Sequence, residues 1–280
     1  MIWGGWIVST RSSLTTYLAP LDVGLLRFGV PALVLAPIWI RTGLIPKGVP
    51  IRVLIPLIAG SGVFFSLSIS NGMVFAPAAH TGALVPGTIP LWAALIGLAV
   101  FSEKFSRSRI IGFFMMALGA MLLGGASAFL DTLNDGAWRG HLLFLFSAFM
   151  WACYAHAFKR SGLSALEAIA VSSVWSAAVH GVLAYFFGSS LVDIETDLLL
   201  WQILLQGILS GIVAVFAFSL AISYLGPTRA TAFQSLVPAI AAFGGWIAIG
   251  EPLISAEIVA IICVTIGVAL ASGLIKREMK

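Results

Sequence analysis

The chain has 280 residues, of which 15 are Lys or Arg and 11 are Asp or Glu. Charged residues make up 9% of the sequence and hydrophobic residues 60%, with a mean hydropathy of +1.07, whereas soluble domains carry roughly 25% charged residues. This composition excludes a soluble enzyme, a disordered chain and a coiled coil, and it indicates a polytopic membrane protein. Cys153 and Cys263 both lie in apolar stretches, so they indicate neither a disulfide framework nor a metal site.

The apolar runs between prolines, glycines and charges predict an all-α protein with ten transmembrane helices. The boundary between the third and fourth spans is the weakest, because only Pro77 and its neighbours mark the turn. In chain order the predicted spans are about residues 1–18, 22–40, 53–75, 79–101, 108–126, 140–158, 165–187, 198–223, 229–249 and 255–275.

The loops between these spans alternate in charge. One set holds twelve basic residues, whereas the other holds only Arg139 together with five acidic residues. Basic loops face the cytoplasm, so we expect both termini to be cytoplasmic. We expect a bacterial-type plasma (inner) membrane and no cleavable targeting segment ahead of the first span. The basic residues then set topology and contact lipids, and nucleic acid is not an expected partner. The twelve are Arg41, Lys47, Arg52, Lys104, Arg107, Arg109, Lys159, Arg160, Arg229, Lys276, Arg277 and Lys280.

Arg11 and Arg27 fall inside the first and second predicted spans. Two interpretations stay open for each. The side chain either extends to the membrane interface, or it faces a cavity, where it meets a ligand carboxylate or pairs with Asp22.

The chain also matches itself at a shift of 148 residues. Each copy holds five predicted spans, and because five is odd the second copy must cross the membrane in the opposite orientation. Inverted repeats place a site at the midplane and expose it to either side in turn, which is typical of transporters. We assign the repeats to residues 1–126 and 139–280. The matched pairs are Trp3 with Trp151, Arg11 with Lys159, Pro90 with Pro238, Glu103 with Glu251, Gly119 with Gly267 and Gly125 with Gly273.

The two copies differ at their starts. Trp151 lies about twelve residues into its predicted span, whereas Trp3 lies close to the start of the chain. We therefore expect the first span to lack its first turns. The glycines of the fifth and tenth spans, such as Gly112, Gly119 and Gly267, are typical of close helix packing, although a dimer contact is an alternative.

These residues resemble the EamA family of the drug/metabolite transporter superfamily over essentially the whole chain. The resemblance rests on the Trp3–Gly4 pair and the Arg27 region, and on a pattern used twice: a mid-helix proline, a glutamate at the helix end and a glycine-rich fifth helix. Trp151 followed by Ala152 departs from the repeated Trp-Gly motif. The pattern comprises Pro90, Glu103 and Gly119 in one copy and Pro238, Glu251 and Gly267 in the other.

The resemblance implies ten helices in two inverted five-helix units around a cavity lined by helices one, three, four, six, eight and nine. Members of the family commonly export amino acids and other small metabolites. The chain looks most like the YddG-type aromatic amino acid exporters within it. The substrate would then be an amino acid with an aromatic or apolar side chain, carried by alternating access. The alternatives are a different substrate, either another small organic metabolite or a cationic drug, and a different role as a receptor or sensor.

Aromatic side chains at helical spacing give the first candidates for a binding site. Trp3 and Trp6 share one face of the first span, and Trp151 and Tyr154 share one face of the sixth. Packing or an interfacial aromatic belt is the alternative, although Trp151 is mid-span, where belt residues are not expected.

Polar side chains of other spans give the remaining candidates, because polar groups in hydrocarbon should face a cavity or a neighbouring helix. For Gln234 and Ser235 an interhelical hydrogen bond is an equal alternative. The prolines are expected to kink their helices and act in gating. These candidates are His80, Thr81 and Thr88 with Pro90 in the fourth span, Gln234 and Ser235 with Pro238 in the ninth, and Asn71 in the third.

The expected pocket is aromatic and neutral-polar, which suits a flat apolar or zwitterionic ligand held by stacking and cation–π contact. We expect no carboxylate at mid-membrane, which leaves His80 as a proton carrier or, more simply, as a hydrogen-bonded histidine. Facilitated flux without a cofactor or metal is therefore expected, from a monomer or homodimer in the bilayer. A catalytic serine at Ser61 lacks a partnering histidine motif, and no phosphate-binding loop for ATP occurs.

Overall fold

The computed structural model describes residues 2–130, 136–230, 234, 237–253 and 255–272, and its regular elements in this part of the chain are all helical. The predicted all-α class is confirmed. The helices are α1 (Ile2–Thr16), α2 (Pro20–Val34), α3 (Ala36–Thr42), α4 (Ile51–Ser61), α5 (Val63–Phe75), α6 (Ala78–Phe101), α7 (Arg107–Leu130), α8 (Ala137–Ser161), α9 (Ala165–Phe187), α10 (Thr196–Gln202), α11 (Val215–Leu225), α12 (Pro227–Ala230), α13 (Val237–Ile249) and α14 (Ser255–Ser272). A short 3₁₀ turn (Leu191–Asp193) precedes α10, and a π-helical stretch (Ile203–Ala214) joins α10 to α11.

Several of these helices have the length and apolar composition of membrane spans. Within the described ranges five qualify, and a sixth is formed if α2 and α3, which meet at a bend of 73°, make one span. α13 and residues 257–271 of α14 are shorter apolar helices. The chain is therefore a multi-pass membrane protein, whereas the count of ten spans stays a prediction. The five are Ile51–Phe75, Ala78–Phe101, Ala137–Ser161, Ala165–Phe187 and Thr196–Leu225.

Two predicted spans are interrupted within the described ranges, and the sequence explains both interruptions. Pro37 stands in the first turn of α3, where its ring prevents a continuous hydrogen-bonded path from α2. Gly62 separates α4 from α5 with a non-helical backbone, and a Cβ there would lie 2.1 Å from Ser176 Oγ. Gly62 thus lets α9 approach closely.

Glycines bring α7 and α14 into direct backbone contact. A Cβ on Gly112 would lie 2.6 Å from both Ala271 N and Gly267 O, and one on Gly119 would lie 2.8 Å from Ala260 O. The glycine pattern therefore serves close packing within the chain, as the packing interpretation predicts.

Local structure recurs along the chain at the spacing of the sequence match. The backbone N–H of Glu103 donates to Gly97 O (3.0 Å), and that of Glu251 donates to Gly245 O (3.2 Å). The residue before each glutamate, Ser102 or Gly250, has a positive φ of 53° or 69°. These two turns lie 148 residues apart.

The helix starts nearer the beginning of each half follow a slightly different spacing. Asp22 accepts a hydrogen bond from the N–H of Ala19 (2.9 Å), and Glu167 accepts one from the N–H of Ser164 (2.8 Å). These two caps are 145 residues apart. At this spacing Trp6 would align with Trp151, whereas the match of Trp3 with Trp151 at 148 residues stays a prediction.

The α7–α14 contact predicts that Gly112→Ala destabilises the protein. The added methyl group meets backbone atoms that cannot rotate away, so we expect a loss of about 1–3 kcal/mol of unfolding free energy, seen as a lower midpoint of thermal unfolding in detergent. Gly29→Ala is the matched control, because a Cβ at that helical position meets nothing within 4 Å and alanine favours the helix. Equal midpoints for the two variants would contradict the packing described here.

Candidate functional site

A narrow cavity of about 30 Å³ lies where α1, α2, α5, α6, α8 and α13 meet. Nearly all of its wall residues are buried. Five of these helices match the spans expected to line it, and α2 adds Arg27. The wall consists of Trp3, Trp6, Ile7, Arg27, Phe65, Ile69, Val85, Pro86, Ile89, Trp151, Gln234 and Val237.

Trp151 is the centre of an aromatic cluster in this wall. Its ring centroid lies 5.3 Å from that of Trp3 in an edge-on arrangement, 4.8 Å from that of Phe65 and 5.2 Å from that of Tyr154. Trp151 is 2% exposed, which fits neither a lipid-facing residue nor an interfacial belt. The aromatic cluster gives the cavity several ring faces and edges that suit an apolar or aromatic ligand.

Arg27 supplies the positive charge of the cavity. Its side chain is 2% exposed, so the interpretation that it extends to the membrane interface is wrong. The guanidinium donates to Ser210 Oγ and lies 4.8 Å from the ring centroid of Trp6 and 5.7 Å from that of Phe65. Neither ion pair recorded among the described residues involves it. A cation held in this way favours an anionic group of a ligand.

Polar contacts between α1 and the π-helical region hold one side of the cavity. Trp6 Nε1 donates to Gln206 Oε1 (2.5 Å), and Gln206 Nε2 donates to Thr10 Oγ1 (2.9 Å) and to Gln202 Oε1 (3.1 Å). Gln202 Nε2 donates in turn to Ser13 Oγ (2.7 Å). Because these groups satisfy one another, they fix the Trp6 ring against Arg27.

Gln202, Gln206 and Ser210 recur at intervals of four residues, and the last two lie within the π-helical stretch. π-Helical segments occur frequently at functional sites. The spacing of these polar residues in an apolar span, together with Arg27, is the sequence signal that would have identified this side of the cavity.

Two polar groups of the wall residues are buried without a hydrogen-bond partner in the described part of the chain. They are both amide atoms of Gln234 and the indole N–H of Trp151. An unpaired buried amide is costly, so these atoms can bind a ligand at no cost to an existing hydrogen bond. Among the described residues, nothing therefore supports the alternative prediction that Gln234 forms a hydrogen bond to a neighbouring helix.

The structure brings Trp3, Trp6, Trp151 and Gln234 together in this wall. Tyr154 stands behind Trp151, where its hydroxyl lies 2.7 Å from Ser219 Oγ, and it lines a small adjacent cavity that also includes Arg27. Ser235 lies outside the described residues.

Three predicted polar residues lie outside the wall and hydrogen-bond to their own helices. Thr81, Thr88 and Asn71 donate to carbonyl oxygens four residues earlier, at 3.2, 2.5 and 2.7 Å. These local bonds satisfy their polar atoms within the membrane, so the reason for assigning them to a cavity does not hold.

The prolines predicted to kink their helices also lie elsewhere than expected. α6 continues through Pro86 and Pro90, and Pro86 rather than Pro90 lines the cavity. Pro238 is the second residue of α13, where a proline is compatible with a helix start. Wall residues such as Phe65, Ile69, Val85, Ile89 and Val237 are ordinary apolar residues, which no sequence signal distinguishes from packing.

At the end of the bundle where α6 begins, two clusters of charged and titratable groups lie close together. Arg11 pairs with Glu251 (2.8 Å) and not with Asp22, which caps α2 and accepts from Ser189 Oγ. His80 lies here and not in the cavity wall. It contacts His141 and Glu257, two residues 61 and 177 positions away in sequence that were not among the candidates.

The fold and the sequence are similar to those of known proteins. The family model described as "EamA-like transporter family" matches residues 1–125 and again 138–273. The chain belongs to this family, and it is accordingly a membrane transporter and not an enzyme.

Individual relatives agree with this assignment. The chain is 23% identical to the uncharacterized transporter YyaM of Bacillus subtilis (strain 168) over 93% of this chain and 87% of that protein. It is also 23% identical to the uncharacterized transporter YdfC of the same organism, over 89% and 80%. A solved crystal structure aligns with a TM-score of 0.70 at 18% identity, over 100% of this chain and 94% of the other, which shows a shared fold.

Replacement of glutamine by leucine is expected to affect the stability of the protein differently at the two glutamines of the site. Gln206→Leu removes the hydrogen bonds that Gln206 makes with Trp6 Nε1, Thr10 Oγ1 and Gln202 Oε1, so we expect it to cost about 1–3 kcal/mol of unfolding free energy. Gln234→Leu, the same substitution at the cavity wall, removes no hydrogen bond recorded among the described residues and is expected to leave thermal unfolding unchanged or slightly higher. The reverse order of the two unfolding midpoints would contradict these roles.

Proposed function

We propose that this protein exports amino acids with aromatic or apolar side chains by alternating access of the central cavity. In this proposal the ten predicted spans form two inverted five-helix repeats, residues 1–126 and 139–280. The end with Arg11, His80 and Glu251 then faces outward and the termini are cytoplasmic, because the basic loops lie at the other end.

Contacts at the two ends of the bundle support alternating access. At the His80 end, Glu251 bridges α1 and α6, because it accepts from Arg11 and also from the N–H of Ala78 (2.8 Å). At the other end, Lys159 Nζ donates to Ser223 O (2.7 Å), and the Arg160 guanidinium lies 3.2 Å from the centroid of the Phe101 ring. Separate sets of contacts that close each end allow one end to open while the other stays closed.

The observation that carries the substrate class is Arg27 in the wall of an otherwise aromatic and apolar cavity. Burial of a cation without an opposite charge is unfavourable by several kcal/mol. A ligand carboxylate offsets this cost, and the planar guanidinium binds carboxylates through two parallel hydrogen bonds. The indole N–H of Trp151 adds a further donor on the same cavity.

The remaining wall groups fit the rest of an amino acid. The Gln234 carbonyl oxygen accepts from an ammonium group, which also gains from the ring faces of the tryptophans. Ile7, Ile69, Val85 and Ile89 bury an apolar side chain. A cationic drug is disfavoured, because it would meet Arg27 with no acidic residue among the wall groups.

Competition in proteoliposomes tests this proposal. Counterflow of labelled L-phenylalanine is measured with unlabelled phenylalanine, 3-phenylpropionate or phenethylamine added outside. We expect phenylalanine to compete best and 3-phenylpropionate to compete more weakly, because only the carboxylate engages Arg27. Phenethylamine, which lacks a carboxylate, should not compete.

The variant Arg27→Gln should reduce counterflow about 10- to 100-fold, since a hydrogen bond to a charged group contributes roughly 1.5–3 kcal/mol. Arg27→Lys should be intermediate, because it keeps the charge but loses the two-pronged geometry. Arg139→Gln is the matched control at an exposed arginine of α8 outside the cavity. Full counterflow by Arg27→Gln, or competition by phenethylamine equal to that by phenylalanine, would overturn the assignment.

A further inference from the structure

His80, His141 and Glu257 form a buried hydrogen-bonded chain, named here the His80 cluster. His80 Nε2 lies 2.6 Å from Glu257 Oε1, and His80 Nδ1 lies 2.9 Å from His141 Nε2. The three residues are 3%, 6% and 8% exposed. They stand in the first turns of α6, α8 and α14, so the cluster ties three helices together at one end of the bundle.

The cluster can hold one exchangeable proton without losing either hydrogen bond. With Glu257 ionised and both imidazoles neutral, His141 Nε2–H donates to His80 Nδ1, and His80 Nε2–H donates to Glu257. A proton that arrives at His141 Nδ1 lets the Nε2 proton of His141 pass to His80 Nδ1. His80 is then an imidazolium that donates to both neighbours, and the bond to His141 has reversed its direction.

The two forms differ in net charge. The first carries −1 and the second carries zero, so uptake of the proton neutralises a charge in a site of low dielectric constant. When this end opens, water reaches Glu257 and stabilises the −1 form, so opening favours release of the proton.

Within the part of the chain that the structure describes, the other charged groups near the cluster have contacts of their own. Glu251 accepts from the N–H of Ala78, two residues before His80, but it is paired with Arg11 on α1. Arg139, on the same helix as His141, is exposed and lies over the rings of Phe75 and Trp138. The described residues of α5 and α13, which also pack against α6, carry no titratable side chain.

We propose that the His80 cluster is a one-proton binding site that links proton occupancy to closure of this end of the transporter. The bound proton stabilises the closed end, and its release accompanies opening. The proposal rests on alternating access as proposed above, but it does not depend on the identity of the substrate.

Distance measurements by pulsed electron paramagnetic resonance test the proposal without any substrate. Spin labels are attached to cysteines introduced by Thr15→Cys on α1 and Trp138→Cys on α8, two exposed positions at this end, after Cys153→Ser and Cys263→Ser. Between about pH 5 and pH 8, we expect the protein with native His80 cluster to shift toward longer distances as the pH rises. Glu257→Gln removes the negative charge, so it should keep the short distance at every pH.

His80→Gln is the second cluster variant and should likewise lose the pH-dependent shift. Glu251→Gln is the matched control, because it is the same change at the same end outside the cluster. It should alter the proportion of open protein but retain the pH dependence. A pH-independent distance in the protein with an intact cluster, or the full shift in both cluster variants, would overturn the proposal.

Phenylalanine counterflow separates this proposal from the substrate assignment. With equal pH on both sides, we expect its rate to change by up to about tenfold per pH unit where one proton controls opening, and to become independent of pH in Glu257→Gln. Counterflow whose pH dependence survives in Glu257→Gln would contradict the proton site alone. A pH-dependent distance without phenylalanine counterflow would support the proton site and contradict only the substrate assignment.

Discussion

The charge of Arg27 is the constraint on which the organisation of the cavity depends. A guanidinium buried in a membrane protein is unfavourable unless neighbouring groups stabilise it. Here Ser210 and the rings of Trp6 and Phe65 do so. Trp6 is itself fixed by Gln206, which the π-helical stretch presents toward α1. These contacts keep the guanidinium in the cavity wall, available to a ligand anion, and they explain why so apolar a helix contains two glutamines.

Polar contacts also join the helices at the end of the bundle where α6 begins. Glu251 joins α1 to the start of α6, and the His80 cluster joins α6 to α8 and α14. Both sets of contacts involve the first turns of α6. In the proposed mechanism, the ligand site and the groups that control access to it are separate parts of the same helices.

Composition and apolar runs suffice to predict the all-α membrane class, and Trp3, Trp6, Trp151 and Gln234 are cavity residues that pattern alone identifies. In contrast, a threonine or asparagine in a membrane helix can bond to its own backbone, so Thr81, Thr88 and Asn71 could not be assigned from residue type. The His80 cluster could not be predicted either, because its members come from three helices that are distant in sequence. The sequence shows that Arg27 lies within a predicted span, but it does not show whether the side chain reaches the membrane interface or is buried.

The most direct test of the account is a distance between the ligand and Arg27. Solid-state NMR dephasing between ¹³C-carboxyl phenylalanine and ¹⁵N-guanidinium labels in membranes reports carboxylate binding, which places N and O about 2.8 Å apart. The account predicts strong dephasing that disappears in Arg27→Gln and persists in Arg139→Gln. Bound phenylalanine whose carboxyl carbon shows no dephasing, or dephasing that persists in Arg27→Gln, would contradict it.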